Sequence, residues 1–136
     1  MIVANAVTPV VYNISRGNLH DAPQGRELLE KLDGHPFRKS QNGKRSRMLM
    51  DKAYEGDLTR KTARKQGFVP VVPPKTNRQK PWRLDKKLYR RRNEVERFFR
   101  RLKGFRRIFT RYDKLDIMFC SFLQLAMIYE FLRNVV

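Results

Sequence analysis

Residues 89–103 of this 136-residue chain read Tyr-Arg-Arg-Arg-Asn-Glu-Val-Glu-Arg-Phe-Phe-Arg-Arg-Leu-Lys. A regular α-helix turns by about 100° per residue, so four polar side chains fall within roughly 60° of each other. These are Tyr89, Arg92, Glu96 and Lys103. An adjacent sector is apolar and wide enough to seat the helix on a core: Leu88, Val95, Phe98, Phe99 and Leu102. We therefore predict a helix whose exposed edge presents one carboxylate among cations.

Two interpretations of Glu96 follow from this position. A carboxylate beside a packed face and surrounded by arginines suits a hard metal ion that acts on a phosphodiester. A charged helix flank can equally be a solvated surface with no chemistry. Glu94 lies about 160° around the helix from Glu96, so we expect it to be a surface partner of a nearby arginine.

The spacing of Tyr89, Arg92, Glu96 and Lys103 resembles the C-terminal signature of DDE transposases from bacterial insertion sequences. In that family the glutamate is the third catalytic metal ligand, and the arginine and lysine contact terminal DNA. The resemblance implies that Glu96 is catalytic and metal-binding. It also implies that Tyr89, Arg92 and Lys103 bind DNA.

Other parts of the chain resemble the same family in the same order. Residues 50–57 resemble the segment that carries the second catalytic aspartate at a strand end, and Asp51 is the matching position. Residues 71–75 resemble the strand and proline turn that follow. Residues 15–21 and 110–115 resemble further family segments before and after these. The resemblance therefore extends over nearly the whole chain.

The position of the family's first aspartate departs from the pattern. That aspartate ends the first strand, about five residues before a proline, and counting back from Pro9 gives Ala4. An alanine side chain cannot bind a metal ion. Met1 also starts inside this strand. We therefore expect the C-terminal part of a transposase catalytic domain, truncated at its N-terminus and catalytically deficient by itself.

The resemblance also implies a fold and a cofactor. The expected fold class is α/β, an RNase H-like mixed sheet flanked by helices, in one partial domain over residues 1–136. The family uses two Mg²⁺ ions held by three carboxylates, one activating the attacking oxygen and one stabilising the leaving oxygen. Asp51 and Glu96 supply two of the three. We expect Mg²⁺ to bind weakly, or only when DNA phosphates complete its shell.

The charge of the chain is extreme. The 31 Lys and Arg residues exceed the 13 Asp and Glu residues by 18, and the isoelectric point is near 10.8. Such a chain attracts polyanions, and double-stranded DNA at transposon ends is the expected partner. An anionic membrane is disfavoured because the cations are spread over several segments instead of flanking one amphipathic helix.

The most apolar stretch is expected to pack inside the protein. Residues 115–133 are predicted to form a C-terminal packing helix, because polar residues near or within it would be penalised in hydrocarbon: Asp113, Asp116, Gln124 and Glu130. The single cysteine, Cys120, lies on this helix and cannot form an internal disulfide. With no secretion signal at the N-terminus, these features favour a cytoplasmic protein.

The remaining elements are predicted from composition and turn residues. We expect a strand over residues 9–15, paired with residues 2–3 through a turn near Asn5. A helix capped by Asp21 follows. A buried strand over residues 48–50 should end at Asp51, and a helix should then run to Gly67, before a strand over residues 68–72.

Two basic loops are predicted between these elements. Residues 34–47 and 73–84 combine glycine or proline with many cations, so neither should form a regular helix or strand. We expect the loops to contact DNA through five cations: Lys44, Arg45, Lys75, Arg78 and Lys80. Trp82 could stack on an unpaired base, but we favour a structural role in holding the second loop.

Alternative functions stay open. The chain could be a non-enzymatic DNA-binding regulator that occupies transposon ends, or that pairs with a full-length transposase or with itself and lowers transposition. It could also be a divergent nuclease that uses Asp21 or Asp57 as a further metal ligand. His20 invites a general-base interpretation, although two-metal chemistry does not require a histidine, and a structural hydrogen bond is favoured.

Overall fold

The computed structural model describes residues 1–15, 20–36 and 43–135. The predicted turn at residues 17–18 and part of the first basic loop, residues 37–42, lie outside these ranges. The chain divides into two compact units: the first contains Met1 and Val11–Arg92, and the second contains Ile2–Val10 and Asn93–Val136.

The described elements include both helices and short strands, which confirms the α/β class. In chain order the strands are β1 (Ile2–Val3), β2 (Pro9–Val11), β3 (Arg47–Leu49) and β4 (Val69–Val71). The helices are α1 (Asp21–Glu30), α2 (Asp57–Lys65), α3 (Lys86–Tyr89), α4 (Asn93–Lys103), α5 (Arg106–Thr110) and α6 (Asp116–Val135). Short 3-10 turns span Lys52–Tyr54 and Arg90–Arg92.

The strands do not form the one mixed sheet that we predicted. Among the described residues they form two two-stranded sheets, β1 with β2 and β3 with β4. Each strand is only two or three residues long, so it offers few backbone groups for pairing with a further strand. Pairing between strands distant in sequence also depends on tertiary contacts that local patterns do not reveal.

In the first unit, β3 and β4 are parallel, with Arg47 opposite Val69 and Leu49 opposite Val71. Parallel strands need a crossover connection, and α2 supplies it. Gly67 ends the crossover with a φ of 84°, a conformation that favours glycine. The predicted strand before Asp51, the helix up to Gly67 and the strand after it are therefore confirmed.

The core of the first unit lies around this crossover. Its buried apolar side chains come from α1, from the ends of β3 and β4, and from α2: Leu28, Leu29, Leu32, Met50, Ala63, Phe68 and Val72. The backbone N–H of Met50 donates to the carbonyl of Val71 at 3.0 Å, which extends the strand pairing to the residue before Asp51. The backbone that carries Asp51 is thus fixed by the core.

The start of α1 differs from the prediction. We expected Asp21 to cap the helix, but the helix begins at Asp21 itself and His20 occupies the N-cap position. His20 makes no side-chain capping bond within the described residues. The proline at position 23 is tolerated in the first turn, where its missing N–H would lack a helical partner anyway.

A turn that Asn5 organises joins β1 to β2, and both strands except Val11 lie in the second unit. The Asn5 Oδ1 atom accepts hydrogen bonds from the backbone N–H groups of Val7 and Thr8, both at 2.9 Å. The N–H of Ala4 donates to the carbonyl of Thr8 at 2.9 Å. The predicted pairing through a turn near Asn5 is confirmed, although the second strand ends at Val11 instead of residue 15.

The helix predicted over residues 89–103 is interrupted. Helix α3 ends at Tyr89, the 3-10 turn Arg90–Arg92 follows, and α4 begins at Asn93. The interruption contains three consecutive arginines, whose like charges crowd one turn, and it lies where the chain leaves the first unit. Glu96 and Lys103 still share a face of α4, but the helical wheel no longer relates them to Tyr89 and Arg92.

Helices α4 and α6 supply the core of the second unit. Phe98 and Leu102 of α4 are buried, as are Leu123, Ala126 and Met127 of α6. Along the other side of α6 many apolar residues are exposed: Ile117, Met118, Leu125, Ile128, Tyr129, Phe131 and Leu132. The helix predicted over residues 115–133 thus packs through one face. None of the helices in the described ranges is long and apolar enough to cross a membrane.

Gly25 of α1 lies against the ring of Tyr54 in the 3-10 turn after Asp51. A Cβ atom at position 25 would lie 2.5 Å from Tyr54 Cε1 and 2.8 Å from Cδ1. At Gly56 the same atom would meet nothing within 4 Å among the described residues. We expect Gly25→Ala to lower the free energy of unfolding by about 1–3 kcal/mol through overpacking, as measured by urea denaturation.

Gly56→Ala is the matched control and should have a smaller effect on that free energy. Replacing Tyr54 with leucine in the Gly25→Ala background should recover part of the loss, because the clashing ring is gone. Equal destabilisation by the two glycine substitutions would contradict this account of the contact.

Candidate active site and basic surface

Asp51 lies at the carboxyl end of β3, where the chain turns into the Lys52–Tyr54 segment. Its Oδ1 atom accepts a hydrogen bond from the N–H of Ala53 at 3.2 Å and caps that turn. The side chain is still 51% exposed. The sequence therefore places a partly exposed carboxylate on rigid backbone, as the strand-end prediction required.

Arg92 brings a second predicted site residue to Asp51. Its Nη1 atom lies 3.1 Å from Asp51 Oδ2, and its side chain is 27% exposed. The Arg92 guanidinium carbon also lies 5.9 Å from the centre of the Tyr89 ring. Asp51, Tyr89 and Arg92 thus form one cluster in the first unit. Both carboxylate oxygens of Asp51 are engaged, one by a backbone N–H and one by a cation.

Glu96 and Lys103 belong to the second unit. Both are exposed, Glu96 in the first turn of α4 and Lys103 at its last residue. The convergence of Glu96 with Asp51 stays a prediction. Glu94 pairs with Arg97, with Arg97 Nη1 3.5 Å from Glu94 Oε1, which confirms its expected role as a surface partner of an arginine.

The side chains do not present a ready metal centre. Across residues 1–15, 20–36 and 43–135, no group of three or more His, Cys, Asp or Glu side chains is placed to hold a metal ion. Ala4, at the expected first aspartate position, is exposed and offers only a methyl group. At Asp51 the Arg92 guanidinium lies 3.1 Å from Oδ2, where it would compete with a metal ion. Within neither unit do the described side chains form a complete two-metal site.

The predicted DNA-binding cations have different environments. Lys44, Arg45 and Lys80 are exposed. Lys75 is 57% exposed, and its Nζ lies 3.5 Å from Glu55 Oε1. Arg78 is only 22% exposed and pairs with both Glu55 and Asp57. A phosphate would have to compete with two carboxylates for Arg78. The exposed side chains of Lys44, Arg45 and Lys80 are accessible to a phosphate.

Trp82 is held within the first unit. Its Nε1–H donates to the carbonyl of Val72 at 2.8 Å, and the side chain is half-buried. This supports the structural role that we favoured over base stacking. Asp57 opens α2 and pairs with Arg60 and Arg78, so its carboxylate already has partners. The side chain of Asp21 lies outside the described features.

Sequence reasoning missed Glu55 and Arg60. Glu55 is 7% exposed in its side chain and pairs with Lys75 and Arg78, which lie 20 and 23 positions away in the chain. The salt bridge of Arg60 with Asp57 could have been predicted, because the two residues are three positions apart on a helix. The pairing of Glu55 has no local signal, because it depends on the tertiary fold.

Comparisons with known proteins agree with these features. Residues 1–131 match a family model described as the transposase DDE domain. A protein of Brucella ovis, named as a candidate transposase for insertion sequence element IS6501, is 30% identical over 118 residues. The alignment covers 86% of this chain and 83% of that protein. No solved structure matches the chain.

The Asp51–Arg92 pair can be tested by removing the cation. We expect Arg92→Gln to change the free energy of unfolding by no more than about 1 kcal/mol, since the pair is partly exposed. The same substitution should raise the affinity for Mn²⁺, because Asp51 Oδ2 loses its competing cation. Isothermal titration calorimetry with Mn²⁺ measures this affinity.

Arg90→Gln is the matched control for that experiment. Arg90 is exposed in the same 3-10 turn and carries the same charge, so its removal tests the general electrostatic effect alone. Equal gains in Mn²⁺ affinity for the two variants would show that the pair with Asp51 is not what limits metal binding.

Proposed function

This chain belongs to the DDE transposase family, and from that premise we propose that it binds transposon-end DNA as the catalytic-domain portion of an insertion-sequence transposase. The observation that carries the proposal is the family match over residues 1–131 together with Asp51 at the carboxyl end of β3. The family places this chain in DNA transposition. Its substrate is double-stranded DNA.

The charge distribution supports DNA binding. The net charge is +18, and exposed cations occupy both basic loops, including Lys44, Arg45 and Lys80. Phosphate contacts supply most of the affinity of such a surface, and they are sequence-independent. Tyr89, Arg92 and Lys103 are the proposed contacts near the reacting DNA end, with arginine suited to a bidentate phosphate contact.

We propose that the β3–α2–β4 unit is part of an RNase H-like fold, although the described strands form two separate sheets. The parallel pair of β3 and β4 with α2 as its crossover supports this proposal, since it is the unit from which such α/β sheets are built. The strand-end position of Asp51 is consistent with it. The carboxyl end of a parallel strand is where an α/β sheet usually carries its functional side chains.

DDE transposases generally act with a divalent metal, and Mg²⁺ is the proposed ion. When bound, such an ion supplies charge stabilisation at the oxygens of a phosphodiester. Asp51 and Glu96 are the proposed ligands. Because the chain has Ala4 where the family has an aspartate, and because Arg92 engages Asp51, we propose that Mg²⁺ binds weakly, or only with DNA present.

A second function is favoured by the same two observations. A chain with Ala4 and an Asp51–Arg92 pair can retain its basic surface while losing catalysis. It would then act as a DNA-binding regulator that occupies transposon ends, either as a homo-oligomer or with a full-length transposase. Both functions are proposed for the cytoplasm, which the single half-buried cysteine is consistent with.

Catalytic deficiency can be tested with DNA duplexes that carry terminal inverted repeats. We expect no cleavage by the unaltered chain with Mg²⁺ or Mn²⁺, because one of three carboxylates is missing. Ala4→Asp should produce detectable cleavage on a denaturing gel, and Ala4→Asn is the control of similar size. Robust cleavage by the unaltered chain, abolished by Glu96→Ala, would contradict the assignment of Ala4.

DNA binding can be tested by fluorescence anisotropy over a range of salt concentrations. We expect affinity to fall steeply with salt, with a slope of about −0.9 in log–log form for each phosphate neutralised. Asp51→Ala should change the affinity little, because the carboxylate does not contact phosphate. Binding that is insensitive to salt would show that the basic loops are not the contact surface.

A further inference from the structure

The second basic loop, residues 73–84, contains no described helix or strand, yet several of its side chains are held in place. They meet residues from the start of α2 and from the turn before it. The residues that hold this loop are Glu55, Asp57, Arg60, Arg78 and Trp82, which we call the loop clamp.

Trp82 is the centre of the loop clamp. Besides its hydrogen bond to the Val72 carbonyl at 2.8 Å, its ring contacts two guanidinium groups. The guanidinium carbon of Arg60 lies 3.4 Å from the ring centre, and that of Arg78 lies 4.7 Å from it. Cations over the face of tryptophan are the most favourable of such contacts, particularly when they are shielded from water.

Arg60 is poorly placed to contact DNA directly. Its side chain is 13% exposed, and its Nε atom is buried with no hydrogen-bond partner among the described residues. Burial lowers the pKa of Arg60, with further lowering from the charges of Arg64 and Arg78 and an opposing effect of Asp57. The cation is therefore stabilised by the Trp82 ring and by Asp57, whose Oδ1 lies 3.3 Å from Arg60 Nη1.

Two carboxylates balance the charges of the loop clamp. Glu55 Oε2 accepts from Arg78 Nη1 at 3.0 Å, and its other oxygen lies 3.5 Å from Lys75 Nζ. Asp57 accepts from both Arg60 and Arg78. Glu55 also directly follows the 3-10 turn that Asp51 caps. The loop is thereby attached to the same short segment that carries Asp51.

We propose that the loop clamp consists of positioning residues that hold residues 73–84 in the conformation that binds DNA. This inference rests on the proposed function. Arg60, Arg78 and Trp82 would act through the loop, and exposed Lys80 would contact phosphate directly. A loop that is ordered before binding loses less conformational entropy when DNA binds, so its affinity is higher.

The test uses the full chain, a labelled DNA duplex and a series of salt concentrations. Lys80→Ala should flatten the salt slope by about 0.9, because one phosphate contact is lost. Arg60→Gln should weaken binding by about tenfold, which corresponds to about 1.4 kcal/mol, while leaving the slope unchanged. Arg78→Gln should also weaken binding without changing the slope.

Arg64→Gln is the matched control, since Arg64 lies on the same helix, is exposed and carries the same charge. It should weaken binding less than Arg60→Gln at unchanged slope. A reduced slope for Arg78→Gln, like that of Lys80→Ala, would show a direct phosphate contact and overturn the proposal. Arg60→Gln binding as tightly as Arg64→Gln would also overturn it.

Trp82 provides an independent measurement because it is the single tryptophan of the chain. Acrylamide should quench its fluorescence weakly in the unaltered chain and more strongly in Arg78→Gln. This comparison does not require Arg60→Gln to fold. Circular dichroism checks that the variant used is folded. Two results together would indicate base stacking and refute the loop clamp. They are strong quenching of Trp82 fluorescence when DNA binds, and no protection of Trp82 from acrylamide in the DNA-free chain.

Failure of this inference is distinguishable from failure of the proposed function. If the unaltered chain binds no DNA, the proposed function is wrong. If it binds DNA with the expected salt dependence and the Arg60 and Arg78 variants match the Arg64 control, only the loop clamp is wrong.

Discussion

The ion pair between Asp51 and Arg92 is the interaction on which the candidate site depends. It joins the end of β3 to the 3-10 turn Arg90–Arg92 across 41 positions of sequence, at 3.1 Å. The backbone of Asp51 is fixed by the parallel pairing of β3 with β4, and Ala53 holds one carboxylate oxygen. Arg92 fixes the other oxygen. A carboxylate held in this way is oriented, but its charge is already compensated.

Ion pairs between a carboxylate and an arginine recur elsewhere in this strongly basic chain. Acidic residues are few, 13 against 31 cations, and many of them pair with an arginine. In the first unit Arg47 pairs with Asp85 at 3.5 Å, and Arg78 pairs with Glu55 and Asp57. In the second unit Arg107 pairs with Asp113 at 2.7 Å. Carboxylates thus neutralise both exposed arginines, such as Arg47, and more buried ones, such as Arg78. Other exposed lysines and arginines remain for a polyanion.

Local sequence patterns predicted the elements that local chemistry controls. The strand before Asp51, the helix that Gly67 ends and the turn that Asn5 organises follow from residue type and spacing, and the structure confirms them. The helix over residues 89–103 was wrong near its start, because a helical wheel assumes regular geometry through the three arginines. The single mixed sheet was wrong because strand pairing depends on contacts distant in sequence.

The candidate site could also be predicted only in part. Residue types and a family resemblance indicated Asp51 and Arg92, and the structure brings these two together. Their direct pairing could not be predicted from residues so far apart in the chain. The burial of Glu55 and Arg60 was likewise beyond local patterns, since both depend on how the second basic loop folds back. The meeting of Asp51 with Glu96 stays a prediction.

The contact between Gly25 and Tyr54 has a consequence for sequence divergence. The ring of Tyr54 occupies the space in which a side chain at position 25 would begin, so the two positions cannot both be large. Among relatives of this chain, a side chain at the position of Gly25 should be accompanied by a smaller residue at that of Tyr54. Such paired variation would identify, in an alignment, which family members keep α1 packed against the turn that corresponds to Lys52–Tyr54.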